Sequence, residues 1–238
     1  MAATAPPIKL YTNHACPWAQ RAEIILAELN IPHEQEIIDL ATPRTAEYLA
    51  INPRGLVPSL AYGDEIITES GIVAQFIADL HGPSHLLPAA NDPNGALKRA
   101  RINFFVDTFV SKVNPSLGKL QMALPGTDLD AAAQALVESA AKELEPLLAD
   151  AAPFFGGSDK PTLAEVQTGS FIIRLFELPK AGLIADFHDD IKAKAPAFYR
   201  WASAVAEIPS VKSTYANDLV VAGITRKRAQ LAAQQAKA

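Results

Sequence analysis

Apolar positions along the first eighty residues change period several times, and each change marks an element. Ile8 to Tyr11 is an apolar run suited to a buried strand. From Pro17 to Asn30 the apolar residues Trp18, Ala22, Ile25, Leu26 and Leu29 recur at helical spacing. A second strand is predicted over Glu34 to Ile38 and a short helix over Thr42 to Ala50. Strands at Ser59–Tyr62 and Glu65–Ile67 are joined by Gly63-Asp64, a hairpin signal, and a helix follows over Ser70 to His81 with Ile72, Val73, Phe76, Ile77 and Leu80 on its apolar face. A strand-helix-strand opening demands a parallel crossover, and the hairpin demands antiparallel pairing. The four strands should therefore form a mixed sheet in a small α/β unit.

Beyond His81 the pattern changes. Gly82 to Asn94 carries Pro83, Pro88, Pro93 and Asn91, a turn-rich connection of the kind that separates domains. The rest reads as helices. One begins near Leu97 and runs towards Leu120, and others cover Asp128–Leu148, Leu163–Phe176, Ile191–Val205 and Leu219–Gln234. The predicted domains are 1–82 and 95–238, with 83–94 as linker, and the Ala, Gln and Lys-rich last ten residues are expected to fray. Thr162-Leu163-Ala164-Glu165 has the form of a capping box, a folding signal for the helix that follows.

Composition narrows the function classes. The chain has 238 residues, 49% hydrophobic and 20% charged, and a net charge of -5, so nucleic acid is not expected as a partner. The basic cluster Arg226, Lys227 and Arg228 reads as a solvated helix face. No apolar run approaches the ~20 residues that span a membrane, and a strand beginning at Ile8 leaves no room for a targeting peptide, so a cytoplasmic location is expected.

One cysteine is present, and it stands where the first strand hands over to the first helix. Pro17 suits the first helical position, and the free N–H groups of that first turn point back towards Cys16. The positive end of the helix favours a thiolate, so a lowered pKa is expected; a buried, inert cysteine satisfies the same pattern. Ala19 occupies the place of a second cysteine in Cys-x-x-Cys, so Cys16 acts as a monothiol and any mixed disulfide on it needs an external thiol. Val57-Pro58 precedes a strand, and a cis bond there would turn the Val57 amide and carbonyl towards a ligand. Glu69-Ser70 opens a helix: Ser70 and nearby N–H groups can hold a carboxylate and Glu69 an ammonium group, although in isolation ordinary capping is the favoured explanation of the pair. Arg44 can reach a carboxylate or simply face solvent. His14 can assist proton transfer, though a loop histidine needs no such role. His33, His81, His85 and His188 form no metal set, and no metal is expected.

Cys16-Pro17-Trp18-Ala19, Asn52-Pro53-Arg54-Gly55-Leu56-Val57-Pro58 and Glu69-Ser70-Gly71-Ile72, followed by a helical second half with the Thr162 capping box, resemble a cytosolic glutathione transferase across essentially the whole chain. The cysteine in this setting is similar to the omega-like class. The resemblance implies a thioredoxin-like N-terminal domain, an all-helical C-terminal domain and a homodimer. It implies glutathione as co-substrate, with Cys16 as the nucleophile that forms a mixed disulfide with it. Val57 would pair with its cysteinyl backbone, Glu69 and Ser70 would take the γ-glutamyl end, and Arg44 would stand in place of the family's lysine near the glycyl carboxylate. Glu165 departs from the Asp usual in the family's capping box. Trp18, Phe109 and Trp201 are candidates to line an apolar acceptor site beside the sulfur. The implied activity is thiol transfer or reduction, of a mixed disulfide, a thioether or an electrophile such as dehydroascorbate. The alternatives are conjugation of glutathione to electrophiles in detoxification, and non-catalytic binding of glutathione and apolar ligands.

Overall fold

A computed structural model describes residues 6–82, 84–89, 91–124 and 126–236. Pro83, where the predicted linker begins, Ala90 within it, and the chain ends 1–5 and 237–238 lie outside the described residues.

The first half is built as β1 (Ile8–Thr12), α1 (Pro17–Glu28), β2 (Glu34–Ile37), α2 (Ala46–Ile51), β3 (Ser59–Tyr62), β4 (Glu65–Thr68) and α3 (Ser70–Leu80). The strands form one mixed sheet in the order β2-β1-β3-β4, with β1 and β2 parallel and the other pairs antiparallel. Leu10 stands opposite Leu60, and Leu60 opposite Ile67. Leu10 and Leu60 are fully buried, and burying a leucine side chain contributes about 1.5–3 kcal/mol. The edge strand β2 is exposed along its length and carries Glu34 and Glu36, charges that discourage pairing with another chain. This is a thioredoxin-like arrangement, with α1 and α3 packed together over the central strands.

The second half is mostly helical: α4 (Gly95–Thr108), α5 (Asn114–Gln121), α6 (Leu129–Glu143), α7 (Leu163–Lys180), α8 (His188–Lys194), α9 (Pro196–Ala206), α10 (Pro209–Ser213) and α11 (Asn217–Gln235). Short 3-10 turns at Glu145–Leu148 and Phe155–Gly157 and an isolated bridge between Phe154 and Ser158 connect the helices. The helix expected over Ile191–Val205 is two helices. Pro196 lacks the N–H needed to continue the first and instead opens α9. Pro146 likewise sits where α6 gives way to a tight turn. The helix expected near Leu97 to Leu120 loosens into a wide π turn over Phe109–Val113 just ahead of Pro115, which cannot donate into the ladder. In the α5 that follows, Asn114, Gly118 and Gln121 line the cleft described below. At the far end α11 runs to Gln235.

Helix α7 is the hub. Fourteen of its 18 residues are buried, and they contact α1, α3, α4, α9 and α10. Its approach to α10 requires a glycine, since a Cβ on Gly169 would lie 2.7 Å from Val211 Cγ2. The predicted capping box is present: Thr162 Oγ1 accepts from the Ala164 N–H at 3.1 Å, and Glu165 accepts from the Thr162 N–H at 2.7 Å. Burying a helix on all sides forces its polar residues to find partners inside the protein. Gln167 and Arg174 find theirs beside Ser70 and Cys16, and Glu165 finds its own at Thr162, Phe155 and Trp201.

Candidate active site

Cys16 is the N-cap of α1. Asn13 builds the turn before it: the Asn13 carbonyl accepts from the Cys16 N–H at 2.9 Å, its side-chain oxygen accepts from the Ala15 N–H at 3.1 Å, and its amide donates to Ile38 O at 2.9 Å. The thiol is half-buried beside the N–H groups of Trp18 and Ala19. Burial pushes the Cys16 thiol above its ordinary value. The two N–H groups and the Arg174 guanidinium pull it down without overcoming burial, and Glu23 adds to the rise. The lowered pKa expected from the helix end alone is thereby corrected. Alkylation of Cys16 by iodoacetamide is expected to show a pH midpoint above ~8.5, the unperturbed thiol value, and a midpoint near neutrality would show that the helix end prevails.

The peptide bond before Pro58 is cis. A buried cluster holds it: Tyr48 Oη donates to Leu56 O at 2.5 Å, and the Asn52 amide donates to Leu56 O at 2.9 Å and to Ser59 Oγ at 3.1 Å. Gly55, at φ 62°, makes the turn that leads into this segment. Val57 is left without a backbone hydrogen-bond partner among the described residues, so its N–H and C=O remain available to an extended ligand.

Glu69 is held at φ 70°, the left-handed region, at a cost of about 1–3 kcal/mol for a residue with a Cβ, and such strain tends to gather where a side chain must be aimed. Its carboxylate pairs with Arg54, both exposed. Ser70, buried at the first position of α3, accepts at Oγ from one Arg21 amine at 2.9 Å. Ser70's own proton is therefore free to donate outwards. Arg21 itself is buried, donates its other amine to Gln167 Oε1 and lies over the Trp18 ring at 5.5 Å. Burial pushes its pKa down to about 10, which leaves it a cation at neutral pH, and no carboxylate pairs with it among the described residues. Sequence reasoning missed Arg21. Its signal was phase: three residues after Trp18 and four before Ile25, it falls on the buried side of α1.

Arg44 is not a free arm. Its guanidinium donates to the carbonyls of Gly55 at 3.1 Å, Leu40 at 3.4 Å, Asp39 and Thr42, so it clamps the loop beside the site. His14 is engaged as well, with Nδ1 2.8 Å from Glu23 Oε1, an oxygen that also accepts from Thr12 Oγ1 at 2.6 Å.

Beside Cys16 opens a cleft of about 530 Å³ between the 13–18 turn, residues 40–41, and helices α5, α7 and α11. Trp18 lines it, edge-on to Phe171 at 4.8 Å between ring centres. The other two aromatic candidates are corrected by burial. Phe109, 1% exposed, packs behind Phe171 at 5.8 Å and supports the wall without lining it. Trp201, 1% exposed, belongs to the core, its indole donating to Glu165 at 2.6 Å and its ring set against Phe105. Phe171 and Arg174 are two of the lining residues not singled out by the sequence pattern. Among the described residues no three His, Cys, Asp or Glu side chains group closely enough to hold a metal ion.

The family model for the glutathione S-transferase N-terminal domain matches residues 10–85. Glutathione S-transferase omega-1 of Mus musculus is 28% identical over 218 residues, covering 88% of this chain and 84% of its own. Glutathione transferase Omega 1C from Trametes versicolor superposes with a TM-score of 0.77 at 27% identity, over 95% of this chain and 98% of that one. A rice glutathione transferase solved in complex with glutathione gives a TM-score of 0.79 at 25% identity, over 96% and 99% of the two chains.

Proposed function

Since the chain belongs to the cytosolic glutathione transferase superfamily and is omega-like, we propose that it works as a glutathione-dependent thiol transferase or reductase through Cys16. The observation that carries this reading is a cysteine, rather than a hydroxyl residue, at the start of α1 with the Trp18 and Ala19 N–H groups beside its sulfur and no second cysteine in the chain.

In the proposed cycle Cys16 loses its proton as substrate arrives, and the N–H groups and Arg174 stabilise the thiolate. That thiolate attacks the glutathione sulfur of a mixed disulfide. A bond forms between the two sulfurs, the original disulfide breaks, and the departing thiolate takes up a proton. A second glutathione, as its thiolate, then attacks the glutathione sulfur on Cys16. Oxidised glutathione leaves and the Cys16 thiol is restored on reprotonation. Glutathione is held by Val57 at its cysteinyl backbone and by Ser70 and Glu69 at its γ-glutamyl end, while Arg44 shapes the loop near its glycyl end. We further read residues 1–82 and 95–238 as two domains joined by 83–94, assembled as a homodimer. No helix among the described residues is long and apolar enough to cross a membrane.

Replacing Ser70 by Ala is expected to weaken glutathione binding by about 1–3 kcal/mol, the range for losing a hydrogen bond to a charged group. Calorimetry showing unchanged affinity would return Glu69 and Ser70 to helix capping.

One observation favours a second reading. Burial holds Cys16 as a protonated thiol at neutral pH, and a thiol can donate a hydrogen bond to the sulfur of bound glutathione as a hydroxyl does. In that case the enzyme activates glutathione for conjugation to an electrophile.

A further inference from the structure

We propose that the second substrate, bound in the cleft beside Cys16, is an anion: a small molecule carrying a carboxylate, sulfonate or phosphate next to an apolar or aromatic part. This rests on the reading of Cys16 as the reacting residue. The chain as a whole is acidic, with 26 Asp and Glu against 21 Lys and Arg. The cleft reverses that balance. Arg174, Arg226 and Lys227 line it, and no Asp or Glu does among the described residues.

Arg174 is the deepest of the three, 1% exposed, and its hydrogen bonds all go to neutral acceptors: Gln20 Oε1 at 2.7 Å, Ala15 O at 3.2 Å and Ser170 O. Its guanidinium also lies over the Tyr215 ring at 5.4 Å. Burial pushes its pKa down to about 10, so it remains charged at neutral pH. Arg174 feels the charge of Glu23 and of the Cys16 sulfur but makes no direct ion pair with either, and an anion entering the cleft relieves the cost of burying that cation. Two acids stand nearby and both are occupied. Glu23 is taken by Thr12 and His14, and Asp39, which feels Arg226, accepts from the Ala41 N–H and the Thr42 hydroxyl.

The other two cations come from the basic cluster that reads in sequence as one solvated face. The fold divides it. Arg228 turns inwards and donates to Gln121 O at 2.8 Å, Leu120 O at 3.3 Å and Leu183 O at 2.6 Å, fastening α11 over the end of α5. Arg226 and Lys227 are thereby held at the cleft, exposed and without an ion pair among the described residues. Trp18, Met122, Phe171, Val220 and Ile224 supply the apolar wall. Cations beside an apolar wall select an anion with a hydrophobic part.

Three glutathionyl mixed disulfides test this, made with 2-mercaptoethanesulfonate, 2-mercaptoethanol and cysteamine. They share the glutathione half and differ in the charge of the other half: negative, neutral and positive. The expected order of kcat/KM is sulfonate over hydroxyl over ammonium, by about tenfold per step at low salt, compressed by added salt and by the double variant Arg226→Gln, Lys227→Gln. Equal values, or a preference for the ammonium compound, would overturn the proposal. A binding measurement separates it from the reading on which it rests: quenching of Trp18 fluorescence by 4-nitrobenzenesulfonate against 4-nitrobenzyl alcohol, with the buried Trp201 as a constant background. If no disulfide turns over but the sulfonate quenches at lower concentration, the anion site stands and thiol transfer fails. If all three turn over equally and the two quenchers match, thiol transfer stands and the anion site fails. If nothing turns over and the quenchers match, both fail.

Discussion

Replacing Glu165 by Ala is expected to destabilise the protein by about 3–5 kcal/mol, several times what an exposed helix cap contributes. The carboxylate is fully buried and accepts four hydrogen bonds, from the Thr162 N–H at 2.7 Å, Thr162 Oγ1 at 2.7 Å, the Phe155 N–H at 2.9 Å and Trp201 Nε1 at 2.6 Å. Truncation leaves all four donors in the interior with no acceptor, and each orphaned group costs about 1–3 kcal/mol before relaxation. The damage reaches beyond the start of α7, because the same carboxylate ties down the 3-10 turn at Phe155 and the indole of α9. Glu165→Gln should cost less, since one amide oxygen still accepts, although its NH2 must then face a donor. Urea denaturation followed by circular dichroism measures the loss. A change below about 1 kcal/mol for the alanine variant would mean that the capping box acts as a surface cap does.

Punctuation residues made the architecture legible. Gly63-Asp64 set the β3–β4 hairpin, Pro17 marked the start of α1, and Thr162 with Glu165 marked that of α7. Where local signals conflict, the pattern alone is ambiguous. A helical apolar pattern runs across Pro196, and only the missing N–H decides that α8 stops there. Site residues divide in the same way. Cys16, Val57, Glu69 and Ser70 stand at element boundaries, where an unusual residue type is conspicuous. Arg21 and Arg174 lie inside helices on buried faces, and recognising them requires treating a cation in apolar phase as a signal. Phe109 and Trp201 show the opposite limit: periodicity tells which side of a helix is buried, and it cannot tell a core from the wall of a cleft. The Cys16 pKa illustrates why spacing alone is insufficient. A helix N-terminus is visible in sequence, while the desolvation that outweighs it depends on tertiary packing, which also sets α5, α7 and α11 from the second half of the chain along the cleft beside the sulfur.

Replacing Cys16 by Ser is expected to abolish thiol transfer, by a thousandfold or more on the order of effects seen when a covalent nucleophile is removed. Serine keeps a donor at nearly the same place beside the Trp18 and Ala19 N–H groups, yet its hydroxyl cannot form or exchange a disulfide. The fold should be unaffected, since Cys16 supplies no side-chain cap to α1 and Pro17 still opens the helix. Conjugation responds in the opposite direction. A serine hydroxyl can donate to the thiolate of bound glutathione, and glutathione is no longer diverted into a mixed disulfide with the enzyme. Assaying the parent protein and Cys16→Ser side by side, with a glutathionyl mixed disulfide and with a chlorinated aromatic electrophile, is therefore the most direct test of Cys16 as nucleophile. Disulfide reduction is expected to collapse while conjugation is retained or rises; disulfide reduction that survives in Cys16→Ser would contradict Cys16 as the nucleophile.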